Sequence, residues 1–353
     1  MERVLMKGNE ALAEAAIQAG CRCYYGYPIT PQTEIASYMA ANMTKAGGVY
    51  LQAESEIAAI NMALGSASAG KRVMSTSSGP GMSLKQEGIS YISGSRVPCV
   101  LANVMRVGPG LGGILASQSD YFQSVKGGGH GDYRVVVLAP TSVQEIFDLT
   151  QEAFEIADTY NIVSMILIDG ILGQMMEPVE IKPYKGRVVK DKNWALTGTK
   201  LMRKSNFITS LYIDPEECEK YNIELQDKYA LVSQNEVRYE EYNVEEAEMI
   251  IVAYGACARI AKSVIKDARK KGINVGLIRP ITLWPFPVEA FNTMTNRLKG
   301  YLSLEMSAGQ MVEDVKLAVN GRKPVYFYGR MGGIVPTREE VLNKIEQFIE
   351  GRG

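Results

Sequence analysis

Four apolar, largely β-branched runs, at 73–76, 98–104, 135–139 and 162–168, constrain the fold of this chain more than any other feature. None alternates with polar residues, so each suits a strand covered on both faces rather than one with a wet side. Helical stretches separate them. Residues 9–19 are alanine-rich, 55–69 are small and apolar, and a capping box, Ser142 with Glu145, opens a long helix between the last two runs. Shorter strands are expected at 23–27 and 49–52. Strand and helix in alternation imply a mostly parallel sheet with helices on both faces. From 177 to 243 charges and tyrosines accumulate and apolar periodicity fades, which predicts an irregular connector. Regularity returns with strands at 249–254, 275–279, 301–304 and 323–328 and helices at 256–271 and 288–297. A last helix opens on a second capping box, Thr337 with Glu340, and runs to about 350. The expected organisation is a first α/β domain over 1–190, an irregular connector over 191–245 and a smaller α/β domain over 246–353.

A length of 353 residues suits two such domains. The charges nearly cancel, 38 basic against 39 acidic for a net of -1, and lie scattered along the chain. That balance leaves no footprint for nucleic acid or an anionic membrane surface. The longest apolar runs fall far short of a bilayer span, and the first residues lack a signal-peptide core, so a cytoplasmic protein is expected. Cys21, Cys23, Cys99, Cys218 and Cys257 include no C-x-x-C pair. Iron–sulfur and structural zinc sites draw on closely paired cysteines, so these read as buried or free thiols, and no metal site is assigned to this chain.

Three segments carry candidate chemistry. In Glu54-Ser55-Glu56-Ile57-Ala58-Ala59, a strand gives way to a helix of small residues. Ser55 or Glu54 can cap that helix, and a carboxylate in its first turn is favoured by the helix dipole. The packed, apolar setting behind Glu56 also disfavours its charged form, which makes it apt to share a proton. In Gly26-Tyr27-Pro28-Ile29-Thr30-Pro31, two prolines stiffen the exit of a strand, the place where open α/β sheets bind ligands. Arg106 stands at the end of another strand, before the glycine-rich 108–113, and a guanidinium so placed suits bidentate capture of a carboxylate. Each feature also has an ordinary structural explanation as a cap, a stiff turn or a surface arginine. Thr76-Ser77-Ser78-Gly79-Pro80-Gly81 lacks the lysine of a P-loop, and 127–131 lacks dinucleotide spacing. His130, the one histidine, reads as solvated.

Taken together these residues resemble the 2-oxoacid:ferredoxin oxidoreductases over nearly the whole chain. Tyr-Pro-Ile-Thr-Pro at 27–31 followed by Thr33-Glu34-Ile35 is close to a signature of that family, and Glu56 with Gly65 nine residues on is similar to the pyrimidine-binding domain of thiamine-dependent enzymes. The stretches 278–287 and 305–311 are similar to the family's transketolase C-terminal-like domain, to which no catalytic residue is assigned. The opening Met6-Lys7-Gly8-Asn9-Glu10-Ala11 resembles the branched-chain, 2-oxoisovalerate type, with the 2-oxoglutarate type its near rival.

The resemblance implies that Glu56 bonds N1′ of the aminopyrimidine ring of thiamine pyrophosphate, a cofactor that does the hard chemistry once its ring is tuned. Glu54 falls two places early and is left to a supporting or surface role. Tyr27, Pro28 and Ile29 are expected against the cofactor, and Thr30 and Arg106 on the substrate carboxylate. Where the family often has two glycines after that arginine, this chain has Val107-Gly108. It also lacks the Gly-Asp-Gly through which thiamine enzymes anchor pyrophosphate on Mg²⁺. The implied enzyme is therefore shared. A pyrophosphate-binding β subunit, a cluster-carrying ferredoxin-like subunit and a possible γ subunit would bring Mg²⁺ and iron–sulfur clusters. A 2-oxoacid would then be oxidatively decarboxylated to acyl-CoA and CO₂, with electrons passed to ferredoxin. Two other readings stand beside it: a thiamine enzyme without clusters, and a non-enzymatic metabolite-binding α/β protein.

Overall fold

The apolar runs of the first half become the central strands of one sheet in a computed structural model that describes residues 3–182, 184–186, 191–292 and 296–351. The chain begins β1 (Arg3–Lys7), α1 (Gly8–Gln18), β2 (Cys23–Gly26), α2 (Thr33–Asn42), β3 (Val49–Gln52), α3 (Glu56–Ser68), β4 (Val73–Ser77), α4 (Pro80–Gly94) and β5 (Cys99–Met105). It continues with α5 (Tyr121–Val125), β6 (Val136–Leu138), α6 (Val143–Tyr160), β7 (Val163–Asp169), α7 (Gly170–Gln174) and β8 (Met176–Glu180). Every residue of β4, β5, β6 and β7 is buried, as expected of strands sandwiched between helices. The second half holds α8 (Pro215–Asn235), β9 (Tyr239–Tyr242), β10 (Met249–Val252), α9 (Gly255–Lys270), β11 (Val275–Pro280) and β12 (Thr282–Trp284). A 3₁₀ turn (Val288–Phe291), β13 (Gly300–Glu305), α10 (Met311–Val319), β14 (Val325–Gly329) and α11 (Arg338–Ile349) complete it.

The large sheet has seven strands in the order β12-β6-β7-β5-β4-β2-β3. Its neighbours are parallel except β12, which joins β6 antiparallel. The smaller sheet runs β14-β13-β10-β11-β9, with only β9 antiparallel. In both, the carboxyl ends of the parallel strands are where open α/β sheets expose ligand sites.

Three expectations need correction. The segment 177–243 is irregular only in part: the described residues of 181–214 hold no helix or strand, but the segment also contains most of β8, the 21-residue α8 and β9. Only Leu225, Tyr229 and Val232 of α8 are buried, a stripe too narrow to stand out among its charges. The helix expected over 288–297 is the short 3₁₀ turn, and its 293–295 portion lies outside the described residues. The capping box at Ser142 is half built. Ser142 Oγ accepts from Glu145 N at 3.1 Å, but the Glu145 carboxylate accepts instead from Thr141 and from Arg279. Thr337 and Glu340 form the full reciprocal box. Residues 187–190, where the first domain was expected to end, and the chain ends 1–2 and 352–353 lie outside the described residues.

Side chains from both sides lock the two sheets together. Gln118 Nε2 donates to the Tyr254 carbonyl at 3.0 Å, and its Oε1 accepts from Met306 N at 3.0 Å. Asp169 Oδ2 accepts from Ala256 N at 2.8 Å. Gln310 Nε2 donates to the Ser119 carbonyl at 2.7 Å, and its Oε1 accepts from Phe122 N at 2.8 Å.

Candidate active site

Three adjacent strands of the large sheet deliver the site's side chains to one edge. Thr30 follows β2, the turn Ser78-Gly79-Pro80 follows β4, and Arg106 follows β5. Glu56 arrives from the strand beyond, as the first residue of α3. Ser55 caps that helix, its Oγ accepting from Ala58 N at 3.2 Å. The Glu56 carboxyl is buried, and its Oε1 accepts from Ser77 Oγ at 3.4 Å. Its Oε2 takes no hydrogen bond among the described residues, which leaves an acceptor for a ring N–H.

The turn between β4 and α4 holds Glu56 and Arg106 close to each other. Gly79 has φ +48°, and a Cβ there would lie 3.0 Å from Arg106 Nε. Two residues on, a Cβ on Gly81 would lie 2.3 Å from Glu56 Oε1 and 2.2 Å from Ser77 Oγ. Glycine at these positions lets the backbone approach both groups, and Pro80 between them starts α4 at the position proline favours.

Arg106 is buried. Its Nη1 donates to the Thr30 carbonyl at 2.9 Å and its Nη2 to the Leu111 carbonyl at 3.1 Å, while Nε has no partner among the described residues. Val107, in place of a family glycine, needs no left-handed backbone. The positive φ falls instead on Gly110 and Gly112, and the loop closes through Val107 N to the Leu115 carbonyl at 2.9 Å.

Thr30 meets Arg106 through its carbonyl, and its side chain is exposed. Tyr27 and Pro28 are exposed and Ile29 is half-buried. The loop is clamped from behind: the Pro31 carbonyl accepts from Asn9 Nδ2 at 2.8 Å and Gln174 Nε2 at 2.9 Å. Gln32 Nε2 holds the Tyr27 carbonyl at 3.2 Å and Gln32 Oε1 accepts from Thr76 Oγ1 at 2.6 Å. Asn9 belongs to the opening Met6–Ala11 motif, whose place in the fold is to hold this loop.

A cleft of about 680 Å³ opens beside Arg106, between its loop and residues of the smaller sheet such as Met306, Ala308, Gln310 and Met331. Stretch 305–311, to which no role was assigned, thus forms one wall. Asp120 lines the cleft as well. Burial pushes its carboxyl above the ordinary range, while a hydrogen bond from Asn103 Nδ2 at 3.0 Å and the Arg106 charge pull it back. Neither Asp120 nor Lys85 emerged as a functional candidate from sequence. Lys85 is wholly buried, and burial drives its ammonium down to about 8 against the opposing pull of Glu56 and Cys99. A lysine in register with the buried positions 81, 82, 88, 89 and 92 of a helix was the available signal. His130 is exposed, and Cys21, Cys23, Cys99 and Cys257 are buried free thiols. No group of three or more metal-ligating side chains stands together among the described residues.

A buried glutamate at a helix start on the carboxyl edge of a parallel sheet, with a smaller α/β unit closing the cleft, is the arrangement expected of the pyrimidine-binding half of a thiamine-dependent enzyme. Residues 14–259 match the family described as pyruvate flavodoxin/ferredoxin oxidoreductase, thiamine diphosphate-binding, and 247–341 match pyruvate:ferredoxin oxidoreductase core domain II. The chain belongs to this 2-oxoacid:ferredoxin oxidoreductase family. It is 51% identical to ketoisovalerate oxidoreductase subunit VorB of Methanothermobacter marburgensis, over 99% of this chain and 98% of the relative. It is 38% identical to 2-oxoglutarate synthase subunit KorA of Archaeoglobus fulgidus, over 99% of each. Among solved structures, 2-oxoglutarate:ferredoxin oxidoreductase from Magnetococcus marinus superposes with a TM-score of 0.90 at 27% identity, covering 99% of this chain and 65% of that one. A split-gene transketolase, at TM-score 0.59 and 11% identity, shares the fold. The fold class is therefore the one expected: a pyrimidine-binding thiamine domain with a smaller transketolase C-terminal-like domain. No described helix is long and apolar enough to cross a membrane.

Proposed function

We propose that this chain is the pyrimidine-side subunit of a CoA-acylating complex that oxidatively decarboxylates 2-oxoisovalerate, with a pyrophosphate-binding partner and cluster-bearing partners that pass electrons to ferredoxin in the cytoplasm. The observation that carries the reading is the Gly79–Gly81 turn, which has Glu56 against one end and Arg106 against the other. Thiamine pyrophosphate supplies a carbon nucleophile for 2-oxoacids once its pyrimidine ring is activated. In this chain Glu56 would hold the ring nitrogen and share its proton. Tyr27, Pro28 and Ile29 would form the wall beside the ring, on a loop held by Asn9, Gln32 and Gln174. Arg106, with Nε unspent, and Thr30 would orient the substrate carboxylate next to it.

The cleft favours one carboxylate over two. Its lining contains a single cation, Arg106, together with Asp120 and apolar faces from Val107, Pro109, Met306, Ala308 and Met331. A branched alkyl chain suits that wall, whereas on this chain's side the second carboxylate of 2-oxoglutarate would find no further cation among the described lining residues. The names of two relatives, ketoisovalerate oxidoreductase subunits at 51% and 50% identity, point the same way. The test is co-expression with the partner subunits and anaerobic, CoA- and thiamine-dependent reduction of a viologen dye. The expected order of kcat/KM is 2-oxoisovalerate first, at least about tenfold above 2-oxoglutarate and pyruvate, the scale of discrimination by apolar pockets. A preference for 2-oxoglutarate would overturn the substrate assignment. Inactivity of a complex loaded with cofactor and clusters towards every 2-oxoacid would overturn the reaction.

A further inference from the structure

Glu305 ends β13 with its side chain wholly buried, one residue before Met306, which lines the cleft. Its Oε1 accepts from Ser303 Oγ at 2.9 Å and Val312 N at 2.9 Å. Its Oε2 accepts from Ser307 Oγ at 2.7 Å, Gln310 N at 2.9 Å and Met311 N at 3.0 Å. Three of these donors are backbone N–H groups at the start of α10, which a helix leaves unpaired and which favour a negative charge. Together the donors saturate a carboxylate, which has about four lone-pair directions. No acceptor is left for a ligand, so Glu305 acts through the chain wrapped around it.

That chain forms part of the cleft: Met306, Ser307, Ala308 and Gln310 all line it. The same turn grips the segment that follows the Arg106 loop. Met306 N donates to Gln118 Oε1 at 3.0 Å, and the Met306 carbonyl accepts from Gln118 N at 2.8 Å and Ser117 Oγ at 3.2 Å. The Gln310 side chain bonds the Ser119 carbonyl at 2.7 Å and Phe122 N at 2.8 Å, on either side of Asp120 in the chain. Ala116, just before Ser117, forms an antiparallel bridge with Arg106. Printed contacts thus run without a gap from the Glu305 carboxylate to the backbone of Arg106.

We infer that Glu305 is a positioning residue for the substrate: by fixing the turn 306–310 it sets where Arg106 and Asp120 stand in the cleft, and so the affinity for the 2-oxoacid. The inference rests on the reading of Arg106 as the carboxylate anchor.

The turn requires a carboxylate, not merely a side chain of that size. Each oxygen faces at least one fixed backbone N–H, so an amide in either orientation would aim its own N–H at another. Glu305→Gln therefore unseats the turn. Ser303→Ala is the milder change: the hydroxyl is buried on β13, outside the cleft lining, and its hydrogen bond goes to Glu305.

The experiment uses the co-expressed complex and measures KM and kcat for 2-oxoisovalerate by viologen-dye reduction, and thiamine pyrophosphate affinity by titration calorimetry. Glu305→Gln is expected to raise KM about tenfold with kcat and cofactor affinity unchanged, the pattern of lost substrate binding. Ser303→Ala is expected to raise KM about two- to threefold, the scale of one hydrogen bond lost to a group that keeps its others. Size-exclusion elution and melting temperature check assembly, and Ser303→Ala decides the matter if Glu305→Gln does not assemble. Arg106→Met is the reference for the anchor. A raised KM in Arg106→Met beside wild-type KM in the assembled Glu305 and Ser303 variants would overturn this proposal alone. Cofactor affinity that weakens in step with KM would make Glu305 merely structural and overturn it too. An unchanged KM in Arg106→Met would overturn the anchor reading and this proposal with it.

Discussion

Glu56 is positioned mainly by uncharged neighbours: a serine that caps its helix, a serine that donates to its carboxyl, and a glycine that leaves it room. Gly81 is the most exacting of these. A methyl group there would overlap both Glu56 Oε1 and Ser77 Oγ, so Gly81→Ala must displace the carboxyl. The affinity of the assembled complex for thiamine pyrophosphate is expected to fall at least about tenfold, a cost near 1.4 kcal/mol. Calorimetric titration checks this, and unchanged affinity would mean that the carboxyl's position is immaterial. At this scale the placement of the candidates was legible: Glu56, Arg106 and Thr30 stand at strand ends or helix starts, as the local pattern implies. Lys85 was not legible, because a charge inside a helix reads as a solvated face until the partner helix is known. Asp120 was not, because its significance depends on Asn103 and Arg106, which come together only in the fold.

The elements that could be read from sequence were those whose environment repeats along them. Strands β4, β5 and β7 are buried along their whole length because both faces are covered, and their bounds fall close to the expected ones. Helix α4 was passed over because Ser77-Ser78-Gly79-Pro80-Gly81 has the composition of a loop, yet Gly79 is the turn and Pro80 the first helical residue. The Tyr27–Pro31 loop was legible as a stiff strand exit but its clamp was not, since the clamp uses residues from α1 and α7. Glu34, at the start of α2, ties that clamp together by accepting from Lys7, Asn9 and Gln174. Burial pushes its carboxyl up, but the hydrogen bonds from Lys7, Gln174 and Asn9 outweigh burial and hold it at about 2, below its ordinary 4.5. A carboxyl lowered in the folded state contributes stability above its unfolded value, and that contribution is lost as pH falls from about 4.5 towards 2. Chemical denaturation across that window should therefore show a steeper acid loss in wild type than in Glu34→Gln. Parallel acid limbs would mean that the clamp carries no such stabilisation.

The proposed site lies on the carboxyl edge of the large sheet. Glu56 and Arg106 come from that sheet's loops and helix starts, the smaller sheet walls the cleft beside Arg106, and Gln118 and Gln310 join the two sheets. Nothing in the local pattern of 305–311 marked it as a cleft wall, since its part is assigned by the packing of one sheet on the other. The pyrophosphate grip and the electron path fall to partner subunits in this proposal, so the role of Glu56 is tested in the assembled complex. The measurement is CoA-dependent reduction of a viologen dye with 2-oxoisovalerate by complexes carrying wild-type chain and Glu56→Gln. A carboxyl that shares a proton with the cofactor ring predicts a loss of at least about a hundredfold in kcat, with assembly and melting temperature unchanged. A Glu56→Gln complex that turns over at the wild-type rate would contradict it.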